Sequence, residues 1–306
     1  MQKIRIISRN SQLAMWQANH VKEKLISANP GLFVDIIGIT TEGDRILDKS
    51  LEKIGGKGLF IKELEYQLLH ENADIAVHSL KDLPAKLPEE FILAAILERE
   101  DPHDAFVSNN YQSIDELPDG AIVGTSSARR SAILRKYYPQ LEIKLLRGNL
   151  QTRLAKLDNG DYDAIILAVA GLKRLGLAER IKTILPAKIF VPAIGQGVLA
   201  VEILASRKNE LLSLLKKIED IDTSRLVGAE REMGRFMNAS CNVPIAGYAR
   251  MENNQLHLSA IIADPDNVSF YTAEITGDPD SYLQIGQECA RLLLADGAQE
   301  ILGKYL

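Results

Sequence analysis

Two adjacent charged residues, Lys81 and Asp82, follow a short apolar segment at a point that a bound ligand could reach. The segment 74–84 reads DIAVHSLKDLP, in which residues 75–77 are typical of a buried strand and Pro84 ends any helix. Ligands of open α/β sheets bind beyond the carboxyl ends of the strands. A carboxylate there, kept ionised by the adjacent ammonium, can stabilise a cation or assist a proton transfer. Taken alone, such residues more often form a solvated turn with one surface ion pair, so the rest of the chain has to decide.

Basic residues occupy several predicted helix starts, where helix electrostatics favour acidic ones. Arg9 precedes the cap candidate Ser11, and Lys57 lies in the glycine loop 55–58. Arg129 and Arg130 follow the cap candidates 125–127. Arg153 follows Arg147 and the cap candidate Asn149. Free backbone N–H groups beside a fixed positive charge form an anion site, and arginine suits carboxylate or phosphate. Because the whole chain has a net charge of -5, this cluster is local. It indicates a polyanionic small molecule in a cleft, with solvated helix faces as the alternative.

Other candidate residues remain open to two interpretations each. The glycine loop 55–58 lacks the P-loop spacing, and Phe60 after it either packs in a core or stacks on a flat ligand ring. His78 has no partner at metal-ligand spacing, which favours a strand-end role, and we predict no metal site. Cys241 lies in the polar loop NASCNVP, where it is either a nucleophile or a quietly buried residue. Cys289 falls within an amphipathic helix and is predicted to lie in a core or on the flank of that helix.

Length and composition restrict the class of protein. The 306 residues suffice for two or three domains, with 46% hydrophobic and 25% charged residues. No apolar run has membrane-spanning length and the first residues lack a signal-peptide core, so we expect a cytoplasmic protein without a membrane partner. The two cysteines fit neither a disulfide framework nor a metal site. The acidic balance and the 6% aromatic content disfavour nucleic acid as a partner.

Strands and helices alternate through the first two thirds of the chain. A first unit has predicted strands at 3–8, 33–40, 75–77 and 91–97 and helices at 11–28 and 59–70. After a crossing at 98–102, a second unit has strands at 121–124, 141–146 and 164–169 and helices at 127–138 and 150–157. A return crossing at 189–197 leads to a strand at 198–203 that could rejoin the first sheet. This alternation predicts βαβ crossovers, mostly parallel sheets and two hinged lobes with a cleft between them.

The last part of the chain follows a different pattern. Residues 209–235 are predicted to be largely helical, residues 248–250, 256–263 and 268–275 antiparallel strands, and residues 282–294 and 298–305 helices. The predicted fold class is therefore α/β, with two hinged doubly wound βα domains like those of periplasmic binding proteins and a smaller α+β C-terminal domain. We place domain 1 at 1–98 with 198–216, domain 2 at 103–191 and domain 3 at 220–306.

Ordered motifs occur along nearly the whole length of the chain. They are SRNSQLAMWQ (8–17), GGKGLFIKEL (55–64), DIAVHSLKDLP (74–84), REDP with DAF (99–106), GTSSARR (124–130), LRGN with TR (146–153), AVAGLKR (168–174), PAIGQG (192–197) and Cys241 with VPI (241–245). Together they resemble the bacterial type of the hydroxymethylbilane synthase (porphobilinogen deaminase) family. The resemblance implies a monomeric transferase of tetrapyrrole and heme biosynthesis. Such an enzyme condenses four porphobilinogen molecules head to tail, releases ammonia, and hydrolyses the chain to hydroxymethylbilane.

The resemblance also assigns roles to residues. The family's primer is a dipyrromethane cofactor that is attached by a thioether to a cysteine matching Cys241, and its catalytic aspartate matches Asp82. Positions that match the binding of the cofactor are Lys81, Asp82, Ser127, Arg129, Arg130 and Arg153. Positions that match the binding of the substrate are Arg9, Ser11, Gln17, Lys53, Lys57, Phe60, Arg147, Arg174 and Gln196.

The implied chemistry agrees with the cationic helix starts. Each pyrrole of the growing chain carries an acetate and a propionate and so needs several Arg or Lys partners. Loss of ammonia leaves an azafulvenium-type cation, which the carboxylate of Asp82 can stabilise. A non-catalytic two-lobed protein that binds a polycarboxylate is the alternative function, but it leaves Cys241 and the third domain without a role.

Two places depart from the family pattern. Residues 239–240 are Ala-Ser where the family usually has Gly-Gly, and Asn242 replaces Gln, so we expect a stiffer loop around Cys241. Gln12 replaces the proline that is common after the Arg-x-Ser start.

Overall fold

A computed structural model describes residues 3–41, 61–238, 243–264 and 269–304. In chain order its strands are β1 (Lys3–Arg9), β2 (Phe33–Ile39), β3 (Ile75–Ser79), β4 (Phe91–Ile96), β5 (Asp104–Val107), β6 (Ile122–Thr125), β7 (Glu142–Leu145), β8 (Ala164–Ala168), β9 (Thr183–Ile184), β10 (Leu199–Leu204), β11 (Ile245–Glu252), β12 (Gln255–Ala263) and β13 (Phe270–Gly277). Its helices are α1 (Gln12–Ala28), α2 (Lys62–Leu69), α3 (Ala128–Tyr137), α4 (Leu150–Asp158), α5 (Val169–Arg174), α6 (Lys208–Leu215), α7 (Ile221–Phe236), α8 (Tyr282–Leu293) and α9 (Gln299–Leu302). Among these described helices, none combines the length and the apolar character needed to cross a membrane.

The strands form two five-stranded sheets of related order and one small antiparallel sheet. The first has the order β2-β1-β3-β10-β4 and the second β7-β6-β8-β5-β9. The third consists of β11, β12 and β13 in sequence order, and α7 and α8 pack with it around a shared apolar core. The fold is therefore α/β with two lobes and a smaller α+β C-terminal part, as the sequence predicted.

Half of the strand pairs in each large sheet are antiparallel, which corrects the prediction of mostly parallel sheets. β1 pairs parallel with β2 and β3, whereas β10 runs antiparallel to β3 and β4. In the second sheet β6 pairs parallel with β7 and β8, whereas β5 runs antiparallel to β8 and β9. The antiparallel strands β5 and β10 are those that the chain enters from a crossing between the sheets. They run away from the crossing, whereas β3 and β8 run towards it.

Local sequence explains where the helices nearest the cleft begin. The Ser11 hydroxyl accepts a hydrogen bond from the Ala14 N–H and caps α1, and Asn149 caps α4 in the same way through Thr152. Three buried residues of α1, Ala18, Val21 and Leu25, recur at helical spacing and pack in the core of the first sheet. Burial of a side chain as large as Val21 or Leu25 contributes about 1.5–3 kcal/mol to the stability of the fold.

Several predicted boundaries differ from the structure. The predicted helix 209–235 is interrupted after α6, because Asp220 accepts a hydrogen bond from the Thr223 N–H and starts α7 as a new helix. The apolar run that begins at Ala164 leaves the strand at Ala168 and continues as α5, which the sequence did not predict. The predicted last helix, 298–305, is reduced to α9 after a kink at Gly297, whose φ is 115°.

Candidate active site

A cleft of about 590 Å³ lies at the carboxyl ends of parallel strands from both large sheets. β1 ends at Arg9 and β3 at Ser79, and the chain that follows β3 brings Lys81 and Asp82 to the cleft. In the second sheet the residues that follow β6 and β7 line the same cleft, including Arg147. The cleft thus occupies the position where α/β sheets bind ligands.

Six cationic side chains surround one carboxylate in the cleft. Among the described residues that line it, the cations are Arg9, Lys81, Arg130, Arg147, Arg153 and Arg174, and the single acidic residue is Asp82. The predicted binding residues Ser11 and Gln17 line it too. Because the cations outnumber the carboxylate by so much, the cleft is suited to a ligand with several negative charges.

The electrostatics of the cations reflect this shortage of negative charge. Burial lowers the pKa of Lys81 to about 8, and the positive charge of Arg130 adds to the effect. Burial, followed by the charges of Arg130 and Arg147, likewise lowers the pKa of Arg153 to about 10. Burial also lowers the pKa of Arg174 to about 10. An anion that enters the cleft relieves this repulsion between the cations, and the relief contributes favourably to the free energy of binding a polyanion.

Backbone carbonyls hold several of the cations in place. The Arg174 guanidinium donates a hydrogen bond of 2.7 Å to the Gly197 carbonyl and lies 5.8 Å from the centre of the Trp16 ring. Nε of Arg153 donates a hydrogen bond of 2.8 Å to the Gly148 carbonyl. Each bond fixes the head group of a flexible side chain before a ligand arrives, which reduces the entropy lost on binding.

Gln12 forms a contact between the two lobes at the rim of the cleft. Its Oε1 accepts a hydrogen bond of 2.6 Å from Nε2 of Gln151 on α4. A proline at position 12, the common residue in the family pattern, has no side-chain acceptor for this bond. Leu13, the next residue, lies against Gly171 of the second lobe.

Asp104 lies beneath the cleft and holds two adjacent arginines. Its carboxylate, wholly buried, accepts hydrogen bonds of 2.7 Å from Arg129 and 2.7 Å from Arg130. Arg129 also donates to the Val191 carbonyl and Arg130 to the Ile166 carbonyl, both at 2.8 Å. Burial acts to raise the pKa of Asp104, but the charges of both arginines outweigh it and hold that pKa well below its usual range. The sequence did not single out Asp104 as a functional residue. The feature that could have indicated it is the position of a carboxylate directly after the first crossing.

Three predicted binding residues lie outside the lining of the cleft. Ser127 caps α3 by accepting a hydrogen bond from the Arg130 N–H, and Arg129 is directed to Asp104. Gln196 is buried and donates to Asp104 at 2.9 Å. Their direct binding of a ligand stays a prediction. Further polar residues that line the cleft, all at or near strand ends and helix starts, are Asn10, Thr40, Ser79, Ser126, Asn149 and Thr152.

Four predicted site residues, Lys53, Lys57, Phe60 and Cys241, lie outside the described residues. The second cysteine, Cys289, is fully buried in the core between α8 and the third sheet, as predicted. Burial raises the pKa of its thiol to about 12, so it is not a nucleophile at neutral pH. In the described part of the chain no group of three or more His, Cys, Asp or Glu side chains could hold a metal ion.

The fold and the site define a class, a two-lobed α/β protein whose cationic cleft, with one exposed carboxylate, is suited to a polyanion. Sequence comparison identifies the family within this class. The profile described as porphobilinogen deaminase, dipyromethane cofactor binding domain, matches residues 4–211, and the profile of the porphobilinogen deaminase C-terminal domain matches residues 225–295. The chain belongs to the porphobilinogen deaminase family.

Curated relatives match the chain over its full length. The porphobilinogen deaminase of Laribacter hongkongensis is 53% identical over 302 residues, which cover 99% of this chain and 98% of that one. The enzyme of the same name from Chromobacterium violaceum is 52% identical, covering 100% and 99% of the two chains. These identities extend through all three sheets, so the alternative of a non-catalytic binding protein is set aside.

Solved structures with similar lobes share much less sequence. A methionine-binding protein, MetQ, is 12% identical with a TM-score of 0.47, covering 72% of this chain and 91% of that one. A putative methionine-binding lipoprotein of Bacillus subtilis is 13% identical with a TM-score of 0.44, covering 71% and 90%. The fold class given above rests on the strand orders of the three sheets.

Proposed function

We propose that Asp82 is the catalytic group of the cleft and that the surrounding cations bind the carboxylates of the cofactor and the growing chain. The activity is that of the family, the condensation of four porphobilinogen molecules with release of ammonia, followed by hydrolysis to hydroxymethylbilane. The observation that carries the residue assignment is the lining of the cleft, in which six cations surround one carboxylate among the described residues.

The residues of the cleft fit the dipyrromethane cofactor of the family. Each pyrrole carries an acetate and a propionate, so a two-ring group brings four carboxylates to a cleft with six cations. The lowered pKa values of Lys81 and Arg153 support this fit, because a carboxylate beside either group favours its charged form. When bound, the cofactor supplies the pyrrole to which the first substrate is joined. Arg9, Arg147 and Arg174 are then the proposed partners of the substrate carboxylates.

The position of Asp82 suits it to stabilise a cation on the substrate. When ammonia leaves the aminomethyl group of porphobilinogen, positive charge develops on the substrate pyrrole. A carboxylate placed beside the site where this charge develops stabilises it. A new carbon–carbon bond then forms to the free α-carbon of the preceding pyrrole, and that carbon loses its proton. Asp82, exposed at the cleft, is available to accept a hydrogen bond from pyrrole N–H groups and to assist this proton transfer.

Cys241 is the proposed attachment point of the cofactor. The chain contains two cysteines, and Cys289 is excluded by its full burial and by a pKa that burial raises to about 12. Thioether formation requires a thiol that can reach the ligand as a thiolate. Cys241 lies five residues after the end of α7 and two residues before Val243 of the Val-Pro-Ile sequence, whose Ile245 begins β11.

We also propose the domain boundaries 1–98 with 198–216, 103–191 and 220–306. The separate strand orders of the three sheets support this division, as do the separate main apolar cores of the first and third sheets. We further propose that the chain acts as a cytoplasmic monomer with porphobilinogen as its small-molecule partner. Light scattering during size-exclusion chromatography should give the mass of one 33.8 kDa chain, and a dimer mass would refute this part.

Intact mass under denaturing conditions tests the attachment. The purified chain should carry the mass of two linked pyrrole units, and Cys241→Ser should lose it. Cys289→Ser is the matched control and should keep the added mass. An unmodified mass from an active sample, or an added mass that disappears only in Cys289→Ser, would contradict the assignment.

A separate variant tests the catalytic role. Asp82→Asn should keep the fold and the attached cofactor but lose nearly all turnover, because the amide carries no negative charge. Ammonia release at the wild-type rate from this variant would show that another group performs the reaction.

A further inference from the structure

Helix α7 of the C-terminal part lies against the segment that carries Asp82. Val227 of α7 is buried in one apolar cluster with Leu80 and Leu83, the residues on either side of Lys81 and Asp82. Val227, Arg231 and Gly234 follow one another at spacings of four and three residues, so they share one face of the helix. This face is turned to the first lobe.

Arg231 holds the backbone directly after Asp82. Its guanidinium donates hydrogen bonds of 2.9 Å to the Pro84 carbonyl and 3.2 Å to the Ala85 carbonyl. This stretch of chain belongs to no helix or strand, and Pro84 has no N–H with which to join one. The arginine therefore supplies anchoring that the segment does not obtain from regular structure.

Gly234 lies where α7 packs against Ala85 and against Ile194 of the second crossing. A Cβ atom at position 234 would lie 3.1 Å from Cδ1 of Ile194 and 3.6 Å from Cβ of Ala85. The contact at 3.1 Å is tighter than ordinary packing, so a larger residue would press on Ile194 of the second crossing, whereas the contact with Ala85 at 3.6 Å is an ordinary one.

Glu230 fixes α7 to the rest of the molecule. Its wholly buried carboxylate accepts hydrogen bonds of 2.7 Å from the Gly195 N–H and 2.8 Å from the Ala249 N–H. Arg99 of the first crossing adds a third, at 2.6 Å. The helix thus joins both crossings to β11.

We propose that Arg231 is a positioning residue, which fixes the Asp82 segment relative to the C-terminal part of the chain and so relative to the cofactor attachment. This inference rests on the proposed roles of Asp82 and Cys241. α7 ends at Phe236, five residues before Cys241, so one helix connects the attachment point to the catalytic segment. A displacement of about 1 Å in a catalytic group can cost about a hundredfold in rate.

The first experiment compares two arginines of α7. Arg231→Ala should lower kcat by about ten- to a hundredfold with little change in KM, because binding cations of the cleft stay in place. Arg231→Lys should recover part of the loss, since one ammonium can bond to a carbonyl but lacks the planar geometry of the guanidinium. The matched control is Arg225→Ala on the same helix, whose guanidinium pairs with Asp280 within the C-terminal part. It should leave kcat unchanged.

Two further measurements separate positioning from a merely structural role. Hydrogen exchange of residues 83–87 in Arg231→Ala should become faster than in Arg225→Ala, and this comparison does not depend on activity. In addition, Asp82→Glu moves the carboxylate by one methylene, so its effect on kcat should not be additive with that of Arg231→Ala.

The possible outcomes keep this inference distinct from the proposed function. If Asp82→Asn is inactive while Arg231→Ala matches Arg225→Ala in kcat and exchange, the positioning role is refuted and the catalytic role stands. If Arg231→Ala lowers kcat and the double variant with Asp82→Glu is strictly additive, Arg231 does not act through Asp82. Turnover at the wild-type rate in Asp82→Asn would refute both.

Discussion

Nζ of Lys81 donates a hydrogen bond of 3.2 Å to Oε1 of Gln196. The orientation of this amide is set from the other side, where Nε2 of Gln196 donates to the Pro102 carbonyl at 2.6 Å and to Asp104 at 2.9 Å. Within the described part of the chain, Lys81 and Asp82 form no ion pair, so the interpretation of this segment as a turn with a surface ion pair is wrong. A neutral acceptor holds the lysine, which leaves the carboxylate of Asp82 open to a ligand.

In a chain that does not yet carry the cofactor, the titration of Lys81 should make the rate of cofactor assembly depend on pH. Burial and the charges of Arg130 and Arg129 lower its pKa to about 8, against the opposing charges of Asp82 and Asp104. Above this pH the ammonium loses its proton and its attraction for carboxylates. The rate at which unmodified chain acquires the two-ring mass from porphobilinogen should therefore fall as pH rises through about 8.

Lys81→Arg is the control for this effect. Arginine stays charged throughout this range, so the variant should load more slowly overall but without the decline above pH 8. An identical decline in the variant would assign the titration to another group. Because a bound carboxylate raises the pKa of Lys81, loading in weakly buffered solution at that pH should also take up protons.

Asp104→Asn should destabilise the second lobe strongly. The substitution leaves the buried cations Arg129 and Arg130 without their shared carboxylate, and breaking a buried ion pair from one side costs about 3–5 kcal/mol. The pKa of Asp104 is held below its unfolded value, so this stabilisation is present above pH 4 or so and is lost only as pH falls through the lower folded value. Urea unfolding at pH 7 measures the loss.

Asp158→Asn provides the comparison, because Asp158 pairs with Arg180 on the surface of the same lobe. An exposed pair of this kind contributes about 0–1 kcal/mol. Equal losses in the two variants would mean that burial of the Asp104 cluster has no special energetic role.

The adjacent arginines show what the sequence can and cannot predict. Helix caps, strand ends and the cationic helix starts follow from local spacing, and the structure confirms the caps Ser11, Ser127 and Asn149. Arg129 and Arg130 have the same local signal, yet only Arg130 lines the cleft. Both bond to Asp104, which lies 25 residues before Arg129 and 26 before Arg130, so the placement of the two guanidinium groups involves a partner distant in sequence. Local patterns carry no information on such partners, nor on the antiparallel direction of β5 and β10.

Glu65 should make stability depend on pH near neutrality. It lies on α2, where burial and the charge of the buried Glu202 on β10 raise its pKa to about 7, with His78 acting in the opposite direction. Lesser effects come from Glu90, which raises the pKa, and Lys62, which lowers it. Because the folded chain binds this proton more tightly than the unfolded chain does, the free energy of unfolding falls as pH rises from about 4.5 to about 7.

Glu65→Gln removes this titration. The variant should match the wild type near pH 5 and should be more stable by about 1–2 kcal/mol at pH 8.5, a value reduced for partial exposure to solvent. Glu89→Gln, at an exposed position before β4, should show no such difference between the two pH values. A constant offset for Glu65→Gln at both values would place the titration elsewhere.

Arg174 should determine how far the chain grows. Its guanidinium, at the cleft, is fixed by the Gly197 carbonyl near Trp16, and the proposed function gives it a carboxylate of the growing chain as its partner. Arg174→Gln removes a charged partner, and a hydrogen bond to a charged group contributes about 1.5–3 kcal/mol, so the affected step should slow by about ten- to a hundredfold. Chains that carry intermediate numbers of pyrrole units should then accumulate and be visible by intact mass after a brief exposure to porphobilinogen.

Arg147→Gln should also cause stalling, because Arg147 is another proposed substrate cation of the same lobe and follows β7, whereas Arg174 ends the helix after β8. If the two arginines hold different rings, the variants should stall at different chain lengths, which assigns each cation to a step. Arg180→Gln, at the surface pair with Asp158, is the control and should give the wild-type distribution of masses. A wild-type distribution and rate in both cleft variants would instead show that neither guanidinium contacts the growing chain.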